Sequence, residues 1–91
     1  MITRDQFKSL DFAKYQLVSA GPYSALIHSI KTVHDWLIYE QAVGKHVSYH
    51  LCHRHHSCDE YHSQTHCPSI PGVLEYIERH ETYQLRQNAI R

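Results

Sequence analysis

The sequence predicts an all-α protein: a small bundle of three to five helices in a single domain, residues 1–91. Three observations lead there. Apolar residues recur at helical spacing in two long runs, capping-box signatures stand before two segments, and glycine or proline falls where the runs stop. No strand-like alternation, internal repeat or low-complexity linker is read in the chain.

The first helix is expected from about residue 4 to 19. Thr3-Arg4-Asp5-Gln6 has the form of a capping box, Phe7, Leu10, Ala13 and Leu17 follow at helical spacing, and Gly21-Pro22 closes the segment. The second helix rests on the stripe Tyr23, Leu26, Ile27, Ile30, Val33, Leu37 and Ala42, with Ser24, His28, Lys31 and Asp35 opposite and Gly44 as its stop. Ser57-Cys58-Asp59-Glu60 reads as another capping box, so a short helix is expected from Cys58 toward His66, after a bend at residues 53–56. Residues 67–72, with Pro68 and Pro71, read as a loop. A last helix is expected over about 73–88, with Val73, Ile77, His80 and Gln84 on one side.

Composition narrows the function classes. Nine Lys and Arg balance nine Asp and Glu, which leaves no general pull toward phosphate backbones or anionic membranes, although ten histidines add charge on mild acidification. Residues 1–20 lack the features of a secretory signal, and no apolar run approaches the roughly 18 residues of a membrane span. Three cysteines cannot all pair within one chain. The expectation is a soluble cytoplasmic protein with free or metal-bound thiols.

The densest chemistry lies in the His/Cys-rich segment 46–67, where residues 52–67 hold all three cysteines and five of the histidines. Thiolate and imidazole are the donors of tetrahedral zinc sites. Cys58, His62 and His66 are spaced four apart, which on a helix stacks them on one face, and a bend brings in Cys52. The expected ligand set is therefore Cys52, Cys58, His62 and His66, with His55, His56 and Cys67 as substitutes, holding a structural zinc that staples a small core. The spacing C-x5-C-x3-H-x3-H matches no common zinc finger. The competing reading is a solvated or interfacial histidine cluster.

Enzymatic readings are weaker. His80-Glu81-Thr82-Tyr83-Gln84 departs from HExxH at the second ligand position, so its residues are expected on a helix surface. No glycine-rich phosphate loop exists, and nothing singles out one cysteine as a nucleophile. The chain reads as non-enzymatic.

Seven tyrosines and one tryptophan favour a protein–protein interface. Tyr39, Tyr49, Tyr61, Tyr76 and Tyr83 are the candidate contacts. Pro68 and Pro71 join them as X-Pro bonds that a prolyl isomerase partner would recognise, against the blander reading of two trans prolines leading into a helix. The alternative is a zinc-stapled nucleic-acid-binding module using Arg79, Arg86 and Arg91 with Tyr76 and Tyr83, but Glu75, Glu78 and Glu81 interleave with those arginines. In size, in helical character and in the Cys67-Pro68-Ser69-Ile70-Pro71 loop, the chain resembles the small lambdoid-bacteriophage proteins that bind and modulate the host RecBCD recombination nuclease. That resemblance implies a non-enzymatic modulator in the host cytoplasm that redirects a DNA recombination and repair complex by binding it.

Overall fold

Between residues 15 and 67 the chain forms not helices but a five-stranded antiparallel meander, with strand order β1-β2-β3-β4-β5. The structure is a computed structural model and describes residues 1–90, leaving out Arg91 and the side chain of Ile90. The strands are β1 (Tyr15–Ala20), β2 (Ser24–Ser29), β3 (Asp35–Val43), β4 (His46–Arg54) and β5 (His62–Cys67), followed by one long helix, α1 (Ile70–Ile90). The all-α bundle is therefore corrected to a sheet covered on one face by a single helix.

The correction has a physical cause. In the row facing α1 the buried residues are Ala25, Ile27 and Ser29 on β2, Trp36 and Ile38 on β3, and Tyr49, Leu51 and His53 on β4, the period-two pattern of a packed strand face, while Asp35 and Cys52 are buried on the other face. The opposite face is not purely polar: Leu26, Leu37 and Cys52 lie side by side there in register. Apolar residues on both faces sit next to each other in sequence, as in Leu26-Ile27 and Trp36-Leu37-Ile38. The alternation is thus filled in, and an apparent i, i+3, i+4 stripe remains. Ile30 and Val33, two members of that stripe, lie exposed between β2 and β3.

The other predicted helices fail for local reasons. The Thr3 amide does donate to Gln6 Oε1 (2.9 Å), but the helix it starts is one 3₁₀ turn, Arg4–Phe7. Asp11 then takes the chain out of helical geometry, its carboxylate accepting from the Ala13 amide (3.0 Å) while its carbonyl accepts from Lys14 and Tyr15. Gly44, with φ +61°, is not a helix stop but the first residue of the two-residue turn joining β3 to β4, a position that suits glycine in hairpins. Residues 62–67 pair with β4, so the expected helix from Cys58 is replaced by an exposed turn and strand β5.

α1 begins earlier than residue 73. Ser69 Oγ accepts from the Gly72 amide (3.2 Å) and caps the helix, and Pro71 fits the first turn, where its missing N–H has no partner to lose. Ile70, Val73 and Ile77 point into the sheet, where they meet a core built of Leu17, Ala25, Ile27, Trp36, Ile38, Tyr49 and Leu51 and closed by Ile2, Phe7 and Leu10. No described helix is long and apolar enough to cross a membrane.

The turn between β1 and β2 is the tightest backbone contact. Gly21 has φ +93°, and a Cβ there would run into the carbonyl of Ile2, whose own amide donates to Pro22 O (2.6 Å). Gly44 also has positive φ, but open space surrounds it. Gly21→Ala is therefore expected to cost about 2 kcal/mol or more, from left-handed strain plus displacement of the N-terminal segment. Gly44→Asn should stay within about 0.5 kcal/mol, because asparagine tolerates positive φ and nothing is displaced. Urea denaturation of the two variants beside the wild type checks both.

Candidate metal centre

Three structural segments deliver histidines to one end of the sheet–helix interface. The alternation of β4 that buries Tyr49 and Leu51 puts His53 next in the same row, where it is 1% exposed. Its cross-strand partner on β3 is Trp36, and the two rings stack with centroids 4.1 Å apart. His34 comes from the residues just before β3, and His55 from the start of the turn after β4. His34 follows Val33, a β-branched residue held at φ +59°, a costly conformation that the surrounding structure enforces.

The ligand atoms of His34, His53 and His55 all lie within 4.8 Å of one another, close enough to hold a metal ion. His34 Nδ1 and His53 Nε2 are 2.9 Å apart, a distance at which one ring donates its N–H to the other. His55 stacks on His34 at 4.5 Å. Ligands on a tetrahedral zinc with bonds of about 2.0 Å stand roughly 3.3 Å apart, inside the span these atoms already occupy.

α1 closes the cluster from above. After Val73 and Ile77 its inward stripe reaches His80 and Glu81, and Glu81 is only 3% exposed. Trp36 Nε1 donates to Glu81 Oε1 (2.8 Å), and the same oxygen lies 3.9 Å from His34 Nδ1. The His80 ring stands 4.9 Å from His53 and 5.0 Å from Trp36. Two atoms here are buried without a hydrogen-bond partner, His80 Nδ1 and Glu81 Oε2. Such orphans are costly in a protein interior, and a bound cation is one way of satisfying them.

The electrostatics favour the uncharged form of His34, His53 and His80. Burial, with help from His34, His80 and His55, pushes His53 down to about 3. Burial also lowers His34 and His80, with Glu81 pulling each partly back. Neutral imidazole is the form that binds metal.

The ligands expected from sequence are dispersed. Cys52 lies buried on the sheet face opposite α1, its Sγ 3.7 Å from His50 Nε2 and its thiol raised by burial. Cys58 and His56 are exposed in the turn, and His62 is exposed at the start of β5. His66 is exposed too, stacked on His50 at 4.3 Å. Cys67 belongs to the apolar core and its thiol is raised by burial. No helix stacks Cys58, His62 and His66. Of the seven residues only His55 joins the cluster, while His34, His53 and the flanking His80 and Glu81 were not among them. His80-Glu81, expected on a helix surface, in fact faces inward.

The proposed contact residues also divide. Tyr39 and Tyr83 are exposed, whereas Tyr49 is in the core and Tyr61 is half-buried beneath the Arg54 guanidinium, 4.5 Å from its ring centre. The Tyr76 hydroxyl donates to Gln64 Oε1 (3.1 Å). Pro68 and Pro71 are exposed in trans bonds, the cis X-Pro bond falling at Gly21–Pro22. Arg79 pairs with Glu75, and Arg91 lies outside the described residues.

Stability without metal should fall as the solution is acidified. An unfolded chain protonates His53 near 6.5 and the folded one near 3, so between these values the unfolded state binds more protons. Stability is then unaffected above about pH 7 and drops below 6.5 by up to about 1.4 kcal/mol per pH unit for this residue, with His34 and His80 acting in the same direction. Urea midpoints at pH 7.5, 6.5 and 5.5 in the presence of chelator check the sign, and His53→Gln should flatten the dependence. No family model, curated protein or solved structure matches the chain.

Proposed function

We propose that the protein binds a divalent transition metal through His34, His53 and His55, with zinc the ion that suits the donors best, and that the ion is structural. The observation that carries this reading is the convergence of three imidazoles, two of them buried, with ligand atoms within 4.8 Å of one another. Imidazole suits zinc, copper, iron and nickel, and the cysteines that would favour softer ions lie elsewhere in the fold. The ion would join three segments that share no continuous secondary structure: the residues leading into β3, the end of β4 and the turn after it. A core this small gains disproportionately from such a link.

In this reading the protein acts by binding rather than by catalysis. Modulation of a larger complex, inferred from the resemblance to phage modulators, would then use surfaces bearing Tyr39 and Tyr83. The helical character on which that resemblance drew is confined to α1 and one short turn.

Elemental analysis of protein purified without chelator is expected to give one zinc per chain, and chelator should lower the melting temperature. His34→Gln and His55→Gln should each abolish tight binding in titrations with a zinc indicator. Cys58→Ser, His62→Ala and His66→Ala should leave it unchanged. Zinc retained by the His34 and His55 variants but lost in the Cys58 and His66 variants would reverse the assignment.

A further inference from the structure

Glu81 is a carboxylate in a place where a carboxylate is expensive. It is 3% exposed, at the point where the apolar stripe of α1 runs out. Trp36 Nε1 donates to Oε1 (2.8 Å), leaving Oε2 buried without a partner. Among the described residues no lysine or arginine pairs with it, its nearest basic neighbour there being His34, with Nδ1 3.9 Å from Oε1. A single tryptophan bond does not offset the burial of a charged group. The sequence nonetheless puts glutamate here, beside three histidines whose donor atoms already converge.

A divalent ion held by three neutral imidazoles would carry its full charge into the same interface. The two deficits cancel if the carboxylate and the ion meet. From this complementarity we infer, resting on the metal reading above, that Glu81 is the fourth ligand, so that the ion closes its coordination shell with a residue of α1 and clamps the helix to the sheet. His80 is the competing fourth donor, since its Nδ1 is also buried and unpartnered. It brings no charge, and so leaves both the ion and Glu81 uncompensated. The indole of Trp36 holds the carboxylate through Oε1, the oxygen 3.9 Å from His34 Nδ1, so a small side-chain shift brings Glu81 up to the three-histidine group, with Trp36 as the outer-shell partner common around metal ligands. Three nitrogens and one oxygen with no open position favour a borderline divalent ion over Cu(I), and mark a structural rather than a catalytic centre.

The test replaces zinc by cobalt(II) in the full chain and reads the visible d–d spectrum, with azide as a probe for an open position. Glu81 also lines a cavity of about 270 Å³ with Lys14, Lys31 and Arg86, so a small anion can approach from that side. Wild type is expected to bind one equivalent with intense bands that azide does not alter. Glu81→Gln keeps the shape and an oxygen for Trp36. It should bind cobalt more than about 100-fold more weakly, beyond the 10- to 100-fold cost of losing an outer-shell partner, and its spectrum should respond to azide. Its metal-free form should melt no lower than the metal-free wild type, since a buried charge has been removed. If wild-type cobalt protein is azide-sensitive, or Glu81→Gln weakens binding less than tenfold while His80→Gln weakens it strongly, the Glu81 assignment is overturned and the three-histidine site stands. If wild type binds neither cobalt nor zinc, both fall. Should Glu81→Gln fail to fold, His80→Gln decides: tight, azide-insensitive cobalt binding in that variant supports Glu81, and its loss overturns the assignment.

Discussion

The interface between α1 and the sheet has to bury more polar atoms at one end than its own hydrogen bonds satisfy, and the rest of the molecule is arranged around that constraint. At the N-terminal end of the helix the contact is ordinary: Ile70, Val73 and Ile77 cover Ile38, Leu51 and their neighbours, and the core is closed by Phe7 and Leu10. One turn further on, the same inward stripe carries His80 and Glu81, and the sheet answers with His53, Trp36 and His34 instead of aliphatic groups. If packing were the only requirement, leucine or isoleucine would fill these positions at lower cost. Indole, imidazole and carboxylate are instead stacked and hydrogen-bonded into one another. The arrangement is polar by composition and largely buried by position.

Strand alternation shows that this is placement rather than histidine enrichment in general. β4 carries His46, His50 and His53. His50, one step out of the core row, faces the uncovered side and takes solvent-accessible partners, Ser63 Oγ at 2.6 Å and the ring of His66. His53, three residues on, lies in the core row and loses its water. The uncovered face solves its charge problem conventionally. Burial alone would raise Asp35, but His28 Nδ1 and Arg54 Nε each sit 2.8 Å from its carboxylate oxygens and hold it below the usual range. Asp35 is satisfied by an arginine and a histidine, while Glu81, more deeply buried, has one neutral donor and an orphan oxygen. The two buried carboxylates, one on β3 and one on α1, thus differ in how fully they are paired, and the deficit lies at the histidine end.

Parts of this were legible in the sequence and parts were not. A helix near the C-terminus could be read because Val73, Ile77 and His80 recur at helical spacing with charged residues between them. The density of metal-binding side chains in residues 46–67 was equally plain, and two of its members, His53 and His55, lie in the cluster, although only His55 was among the expected ligands. The strands were hidden because Leu26, Leu37 and Cys52 put apolar side chains on the uncovered face, which breaks the alternation that identifies a half-buried sheet. The donor set was hidden with them. Four-residue spacing brings side chains together on a helix, whereas on paired strands proximity follows register, and register joined Trp36 to His53 across 17 positions. The surviving local signal was Tyr49-Leu51-His53, an alternation ending on a histidine. The dipeptide His80-Glu81 on the inward side of the last helix was its counterpart.

The location of the cluster follows from the topology. A meander of hairpins is stitched together by neighbouring strands, so its interior needs no cross-link. The chain enters α1 directly from β5, and further along the helix the ties to the sheet are side-chain ones, Tyr15 donating to Glu78 and Trp36 to Glu81. His34, His53 and His55 stand where the β2–β3 connection and the exit of β4 approach one another beneath that helix, and Val33 is held in a costly backbone conformation to bring His34 there. The price of that conformation, together with a buried carboxylate and dehydrated rings, is hard to reconcile with a purely structural hydrogen-bond network, because apolar residues would close the same gap more cheaply. It becomes intelligible under the proposed metal site, in which the three segments and α1 would converge on a single ion.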